Sequence, residues 1–211
     1  MYKAFLFDLN GTMIDDMDYH IRAWHRILNE LGADLTMEQT KKECYGKNHE
    51  LLERIFPGRF TQEEKDHLSI EKEKQYQSEF RPHLQLIDGL DEVLKIYHAA
   101  GVKMAIGSAA IRFNIDFVLD GLDIRHYFDA IISADDVAVS KPHPETYLRC
   151  AEVLGIEPAS CLVLEDAPKG VESALHAKMD AAVFTTMHVA EEFEGYPNII
   201  GYYADYRAFR P

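Results

Sequence analysis

The sequence predicts an α/β fold, in which a Rossmann-like, doubly wound parallel sheet carries a small helical domain inserted after its first strand. Short apolar runs alternate with amphipathic helical patterns through most of the chain, which is typical of parallel strands joined by helical crossovers. Residues 15–81, which follow the first apolar run, show helical patterns only. We therefore predict a core domain of residues 1–14 and 82–211 and an inserted helical domain of residues 15–81.

The predicted strands are short apolar runs bounded by turn residues, a pattern expected of strands that are buried on both faces. They cover residues 4–7, 102–106, 130–132, 161–164 and 181–184, and the tail after residue 199 contains a candidate edge strand. In the core domain, helices are predicted between residues 88 and 100 and over residues 114–120, 144–154 and 170–178.

The inserted domain begins with an amphipathic helix, and two of its later helices are predicted to start with capping boxes. In these boxes a threonine is followed three residues later by a glutamine or glutamate: Thr36 by Gln39, and Thr61 by Glu64. The helix after Thr61 is long and charged. We interpret its run of alternating charges at residues 71–74 as a solvated helix face.

Composition restricts the possible partners and the cellular location. The chain has 211 residues, 47% of them hydrophobic, and a formal net charge of −14, which disfavours nucleic acid and anionic membranes as partners. Three scattered cysteines, Cys44, Cys150 and Cys161, form no disulfide framework and indicate a reducing compartment. Without a signal peptide or a transmembrane stretch, the chain is expected to be cytoplasmic. A monomer is also expected.

Polar residues that could carry chemistry follow four of the predicted strands. Asp8 ends the first run and Ser108 follows the second. Lys141 lies in the loop after the third, and Glu165 and Asp166 follow the fourth. Each also fits a structural role, as a turn residue, a helix cap, a loop residue or acids favoured by a helix N-terminus. Together they would meet at the carboxyl edge of one sheet, where open α/β sheets bind ligands.

This combination of side chains fits phosphoryl transfer. The Asp8 carboxylate could attack phosphorus and form an aspartyl-phosphate. The Ser108 hydroxyl, nearby backbone N–H groups and Lys141 could stabilise the phosphate oxygens. Glu165 and Asp166 could hold Mg²⁺, which prefers carboxylate oxygens. We therefore predict Mg²⁺ as the cofactor and a small phosphorylated metabolite as the partner.

The order of these motifs resembles the haloacid dehalogenase superfamily of phosphatases and phosphotransferases. The chain has an Asp-x-x-Gly-Thr start at Asp8, a serine at Ser108, a lysine at Lys141 and an acidic pair that begins at Glu165. The inserted helical domain is similar to the family's four-helix cap. The segment Tyr-His-Ile-Arg-Ala-Trp at residues 19–24 further resembles β-phosphoglucomutase and its sugar-phosphate phosphatase relatives.

The resemblance implies a metal and nucleophile site in the core domain. Asp8 would be the nucleophile and a metal ligand, and the backbone carbonyl of Asn10 would be a second ligand. Glu165 and Asp166 would complete the Mg²⁺ site.

The resemblance also implies contacts with the substrate. Ser108, the backbone N–H of Ala109 and Lys141 would hold the transferring phosphate. Further substrate contacts are implied in the first loop and in the cap, at Thr12, His20, Trp24, Gly46, Lys47 and His49.

Asn10 departs from the family pattern, which has an acid/base aspartate at this position. An amide cannot carry a proton to the leaving oxygen or activate water, and a positioned acid/base group contributes about 10²–10⁴-fold to the rate. Asn10 is therefore either an introduced substitution that traps a complex or a native residue. If it is native, another group such as His20 takes part, or the activity is weak or altered.

We predict hydrolysis of a phosphorylated metabolite, such as a sugar phosphate, as the function. His49 stands where the mutase has an arginine that grips phosphate, and Ile111 lies near the position of a mutase lysine. Both departures favour hydrolysis, while the cap-entry segment keeps a β-phosphoglucomutase-type mutase as the alternative. A second alternative is a catalytically weakened member that only binds a phosphorylated ligand, because residue 10 is Asn.

Overall fold

The computed structural model describes residues 2–211, which divide into two compact units. The core unit extends up to Asp15 and resumes from Gln85 to Pro211, and the cap unit is Asp16–Leu84. The cap unit contains α1 (Met17–Glu30), α2 (Met37–Glu43), α3 (Asn48–Ile55) and α4 (Gln62–Phe80). The core unit contains α5 (Leu90–Ala99), α6 (Arg112–Gly121), α7 (Glu145–Leu154) and α8 (Pro168–His176).

The core unit also contains six strands, which form one sheet. They are β1 (Ala4–Phe7), β2 (Lys103–Gly107), β3 (Ala130–Ile132), β4 (Cys161–Glu165), β5 (Asp180–Phe184) and β6 (Ile199–Tyr203). Every neighbouring pair is parallel, and the order β3-β2-β1-β4-β5-β6 places β1 in the middle and β6 at an edge. The predicted parallel α/β sheet is confirmed, including the edge strand in the tail.

The central strand β1 is buried on both faces because helices pack against both sides of the sheet. Successive side chains of a strand point to opposite faces. On one face, Phe5 contacts Tyr97 of α5, with ring centroids 4.7 Å apart. On the other face, Leu6 belongs to a buried cluster that includes Tyr147 of α7 and Val171 of α8. The sheet is therefore doubly wound, as predicted.

The register of the three central strands brings their carboxyl ends together. Phe7, the last residue of β1, pairs with Ile106 of β2 on one side and with Leu164 of β4 on the other. The residues that follow these positions along the chain therefore meet at one edge of the sheet, where the polar side chains predicted from the sequence are located.

In the cap unit, a small apolar cluster combines residues of α1 and α3 with Leu68 of α4, and α2 and α4 begin as the sequence predicts. The Thr36 side chain accepts the N–H of Gln39 at the start of α2, and the Thr61 side chain accepts the N–H of Glu64 at the start of α4. Both capping boxes are confirmed. Among residues 2–211, no helix combines the length and the apolar character needed to cross a membrane.

The interpretation of residues 71–74 as a solvated helix face is wrong for two of the four residues. Lys72 and Glu73 are each only 2% exposed and form an ion pair of 3.0 Å between Lys72 Nζ and Glu73 Oε1. The buried positions of α4, which include Ser69 and Tyr76, recur at helical spacing although several of them are polar. The charged composition of residues 71–74 suggests exposure to solvent, whereas the helical spacing of the buried positions shows that α4 has one inward-facing stripe.

Replacing Thr61 with alanine is expected to lower the stability of the cap unit. The substitution removes the side-chain oxygen that caps α4, and such losses cost about 0.5–2 kcal/mol of the free energy of unfolding. Urea unfolding followed by far-ultraviolet circular dichroism measures this change. Thr61→Ser keeps the hydroxyl and is expected to retain most of the stability, so an equal loss in both variants would contradict the capping role.

Candidate active site

Polar residues from neighbouring strands converge at the carboxyl edge of the sheet. Asp8 directly follows β1, and its backbone N–H donates to the carbonyl oxygen of Leu164 in β4 at 2.9 Å. Ser108 directly follows β2, and Glu165 is the last residue of β4. Because β2 and β4 flank β1, these residues surround the end of the central strand, which is where ligands bind in open α/β sheets.

Lys141 joins the two central acids. It lies in the loop between β3 and α7 and is buried, and its Nζ donates to Asp8 Oδ1 at 2.6 Å and to Glu165 Oε1 at 2.7 Å. Burial opposes the positive charge, but the carboxylates of Asp8 and Glu165 outweigh it and hold the pKa of the Lys141 ammonium above its ordinary value. The ammonium is therefore a fixed cation between two carboxylates.

Glu165 is held by four hydrogen bonds. Its Oε1 accepts from Lys141 and from the Tyr147 hydroxyl at 2.8 Å, and its Oε2 accepts the N–H groups of Asp166 and Ala167 at 2.9 and 3.0 Å. These bonds use the acceptor capacity of both oxygens. All four donors belong to the protein itself, and through one of these bonds Glu165 holds Lys141 in place. The role of Glu165 as a metal ligand stays a prediction.

Close packing from a neighbouring helix also fixes Glu165. A Cβ atom at Gly170 of α8 would lie 1.7 Å from Glu165 Oε1, so the helix backbone approaches the carboxyl group directly. No side chain larger than hydrogen fits there without displacement of Glu165. The glycine is therefore a structural part of the candidate site.

Asp166 lies beside the first loop. The Thr12 hydroxyl donates to Asp166 Oδ1 at 3.0 Å, and a Cβ at Gly11, whose φ is +79°, would lie 2.2 Å from Asp166 Oδ2. Thr12 is completely buried and positions Asp166, and its substrate contact stays a prediction. Burial and the charges of Glu165 and Asp8 raise the pKa of Asp166 well above its ordinary value.

Acidic groups outnumber basic ones at this edge of the sheet, because the three buried carboxyl groups of Asp8, Glu165 and Asp166 lie around the single ammonium of Lys141. Within residues 2–211, no group of three or more His, Cys, Asp or Glu side chains is arranged to hold a metal ion, and Lys141 lies between two of the acids. The excess of acid nevertheless fits a cation bound by two carboxylates and backbone oxygens, since a bound cation lowers the cost of ionising Asp166.

Ser108 and Ala109 lie on the other side of β1 from Glu165. Ser108 is 2% exposed, and its Oγ accepts the N–H of Ala110 at 3.1 Å, so its O–H remains the donor toward other groups. Ala109 is half-buried, as is Asn10 in the loop after β1. The structure therefore brings a hydroxyl donor, an ammonium and carboxylates to one edge, as the sequence predicts.

The remaining predicted residues belong to the cap unit. His20 and Trp24 lie on α1 and are buried, while Gly46, Lys47 and His49 lie in the loop before α3 and at the start of that helix and are half-buried. His20 Nε2 lies 3.2 Å from Asp16 Oδ2, and its ring stacks on Tyr76 with centroids 3.8 Å apart. His49 Nε2 lies 2.9 Å from Asp66 Oδ1.

A family model described as haloacid dehalogenase-like hydrolase matches residues 5–184 of the chain, a span that begins within β1 and ends with β5. The chain belongs to the haloacid dehalogenase-like hydrolase family.

Named relatives show that the chain belongs with the phosphatase and phosphomutase enzymes of this family. Fructose-1-phosphate phosphatase YqaB of Escherichia coli (strain K12) is 30% identical over 180 residues, covering 85% of this chain and 95% of that protein. Beta-phosphoglucomutase of Bacillus subtilis (strain 168) is 31% identical over 187 residues, covering 85% and 81%. The crystal structure of beta-phosphoglucomutase from Clostridium difficile has a TM-score of 0.82 and 27% identity, covering 95% of this chain and 91% of that one.

Sequence reasoning missed several residues that support the site. Tyr147 and Gly170 have no motif of their own, because a buried tyrosine and a small residue on a helix are ordinary core features. Tyr206 in the tail donates its hydroxyl to the carbonyl oxygen of Thr12 at 3.0 Å, and the Thr186 hydroxyl donates to the carbonyl oxygen of Gly11 at 2.6 Å. Long-range contacts of this kind leave no local signal in the sequence.

Replacing Tyr147 with phenylalanine is expected to lower the free energy of unfolding by about 1–3 kcal/mol, because the buried Glu165 carboxylate loses a donor. Chemical unfolding of the core unit measures the change. Tyr202→Phe is the matched control, since the Tyr202 side chain is 45% exposed. Equal stability of the two variants would show that the hydroxyl contact of Tyr147 is not needed to hold Glu165.

Proposed function

We propose that the chain hydrolyses the phosphate ester of a small phosphorylated sugar through an aspartyl-phosphate on Asp8. The observation that carries this proposal is the buried contact of Lys141 with Asp8 and Glu165 at the carboxyl edge. The relatives named as a fructose-1-phosphate phosphatase and a beta-phosphoglucomutase support a phosphorylated sugar as the substrate class.

The proposed reaction has two steps. An oxygen of the Asp8 carboxylate attacks phosphorus, the bond between phosphorus and the sugar oxygen breaks, and that oxygen takes a proton from solvent water, to which the water that attacks in the second step gives up a proton. Water then attacks the aspartyl-phosphate and releases inorganic phosphate and the Asp8 carboxylate. Lys141 orients Asp8 for the attack through their direct contact.

The transferring phosphate requires donors that face its oxygens. We assign this role to the Ser108 hydroxyl, the Ala109 N–H and the Lys141 ammonium. The Ser108 hydroxyl is suited to it because its oxygen already accepts the N–H of Ala110, which directs the O–H away from that bond.

Mg²⁺ is the proposed cofactor. Asp8, Asp166 and the backbone carbonyl of Asn10 would hold it, and Glu165 would contribute by fixing Lys141. When bound, the ion would neutralise carboxylate charge that otherwise repels a phosphate dianion. The raised pKa of Asp166, which burial and its acidic neighbours cause, supports a cation at this position.

Recognition of the sugar is assigned to the cap unit, through His20, Trp24 and the loop that contains Gly46, Lys47 and His49. Hydrolysis is favoured over mutase action by the contact between His49 and Asp66. An imidazole paired with a carboxylate is a weaker phosphate ligand than a guanidinium, which offers several fixed donors. A mutase remains the alternative, supported by the likeness to beta-phosphoglucomutase.

Asn10 favours a second candidate function, in which the chain binds a phosphorylated ligand but turns it over weakly. The amide keeps the backbone carbonyl that the proposed metal site needs, but it supplies no proton to the leaving sugar oxygen. Its proposed substitute, His20, has Nε2 near Asp16 and Nδ1 in contact with the Lys72 ammonium. These contacts tie both ring nitrogens of His20 to charged residues of the cap unit.

Changing Asn10 to aspartate is expected to raise the rate of phosphate release by about 10²–10⁴-fold, because it introduces a positioned acid/base group. The measurement is release of inorganic phosphate from a panel of sugar monophosphates in the presence of Mg²⁺. Asp8→Asn, made in both backgrounds, is the control and is expected to abolish release.

Other outcomes of this experiment identify the alternatives. If both chains are inactive on the whole panel while a sugar phosphate binds with Mg²⁺, the chain is a binding protein. If the chain with Asn10 releases phosphate rapidly and Asn10→Asp does not raise that rate, another group acts as the acid/base. Loss of that activity in His20→Ala would then identify His20, and full activity would exclude it.

A further inference from the structure

The inward-facing stripe of α4 contains polar atoms that the surrounding protein does not satisfy. Ser69, Lys72 and Glu73 are each 2% exposed and lie on one face of this helix. Buried polar atoms are nearly always hydrogen-bonded, so exceptions indicate a functional demand at that position.

The two carboxylate oxygens of Glu73 differ in the hydrogen bonds that they accept. Oε1 accepts from Lys72 Nζ and from Asn48 Nδ2, each at 3.0 Å. Among residues 2–211, Oε2 has no hydrogen-bond partner, and His20 Nδ1 lies 3.9 Å away from it. Burial opposes ionisation, but the charges of Lys72 and His20 outweigh it and lower the pKa of Glu73. Glu73 is therefore a carboxylate with one buried oxygen available to accept a hydrogen bond.

Ser69 provides a second atom of the same kind. Its Oγ also has no hydrogen-bond partner in the described part of the chain, and it lies one helical turn before Glu73 on the same face. An unsatisfied buried group costs about 1–3 kcal/mol, and more when it is charged. The two groups on neighbouring turns therefore keep hydrogen-bonding capacity that the described residues leave unused.

The neighbours of this stripe connect it with the part of the cap unit that the proposed function assigns to the sugar. Asn48 lies between Lys47 and His49 and contacts Glu73 directly. Lys72 Nζ lies 5.6 Å from the centre of the Trp24 ring and contacts His20. Lys72 is thus held by groups of the cap unit, and it keeps the Glu73 carboxylate in place.

We propose that Glu73 and Ser69 bind hydroxyl groups of the substrate's sugar portion and thereby select a polyol monophosphate over a bisphosphate. A carboxylate oxygen accepts hydrogen bonds from hydroxyl donors, and a serine hydroxyl can both donate and accept. The same carboxylate repels a second phosphate, so it excludes a charged group from the end of the substrate that it contacts. This inference rests on the proposed function, since it concerns the substrate of the same reaction.

Glu73→Gln tests this inference because it keeps the shape of the side chain but removes the charge. The probes are hexose monophosphates, their monodeoxy analogues and ethyl phosphate, whose ethyl group carries no alcohol hydroxyl. The ratio of kcat/KM for the hexose phosphate to that for ethyl phosphate is expected to fall at least tenfold. Removing one particular hydroxyl from the substrate is expected to lower kcat/KM strongly in the parent chain and only slightly in the variant.

Controls separate this effect from a structural one. Glu71→Gln makes the same change on the same helix, where the side chain is 42% exposed and pairs with Lys74, and it is expected to leave the ratio unchanged. Ser69→Ala removes a single hydroxyl and is also expected to lower the ratio. It therefore tests the inference even where Glu73→Gln does not fold. All variants are made in the chain with Asn10 and again with Asn10→Asp, so that turnover is measurable.

The outcomes distinguish this inference from the proposed function. If no phosphate ester is hydrolysed in either background, the proposed function fails. Suppose that esters are hydrolysed but that Glu73→Gln and Ser69→Ala change kcat/KM equally for all substrates, or for none. The hydroxyl-binding role is then wrong, and the two groups serve only the cap unit's own structure. A lower preference for polyols, together with better hydrolysis of a sugar bisphosphate by Glu73→Gln, supports the inference.

Discussion

The buried ammonium of Lys141 is the interaction on which the polar edge of the core unit depends. Asp8 and Glu165 end adjacent strands, and their carboxylates would repel each other there without a cation between them. Lys141 reaches both from a loop at 2.6 and 2.7 Å. Because Glu165 is itself held by Tyr147 and backbone N–H groups, the position of the ammonium is fixed from two sides, and Asp8 is fixed with it.

Most of the fold and the central residues of the site could be predicted because they depend on local patterns. Apolar runs with polar ends predict parallel strands and the edge at which Asp8, Ser108 and Asp166 gather. The roles within that edge could not be predicted, since they depend on contacts between distant segments. The motif order suggests Glu165 as a metal ligand, but no local pattern indicates that it also accepts hydrogen bonds from Lys141 and Tyr147 and so holds the ammonium.

The two units bury charge in different ways. In the core unit, each oxygen of Glu165 accepts two hydrogen bonds, which offsets most of the cost of removing the carboxylate from water. In the cap unit, Glu73 shares one oxygen with Lys72 and Asn48 and leaves the other without a partner in the described residues. A satisfied carboxylate serves as scaffold, whereas an incompletely satisfied one is suited to receive a ligand.

The position of β1 in the middle of the sheet also has a consequence for how the protein folds. Phe5 pairs with Met104 of β2 and Leu162 of β4, so the central strand meets its first partner only after about 100 further residues have been synthesised and its second after about 160. Until then, an apolar segment that is later buried on both faces has no sheet to join, while the cap unit between these segments can form from contacts within itself. Such delayed, non-local pairing slows folding and exposes the chain to aggregation. The earliest strand of the protein is therefore the one that most needs protection during synthesis.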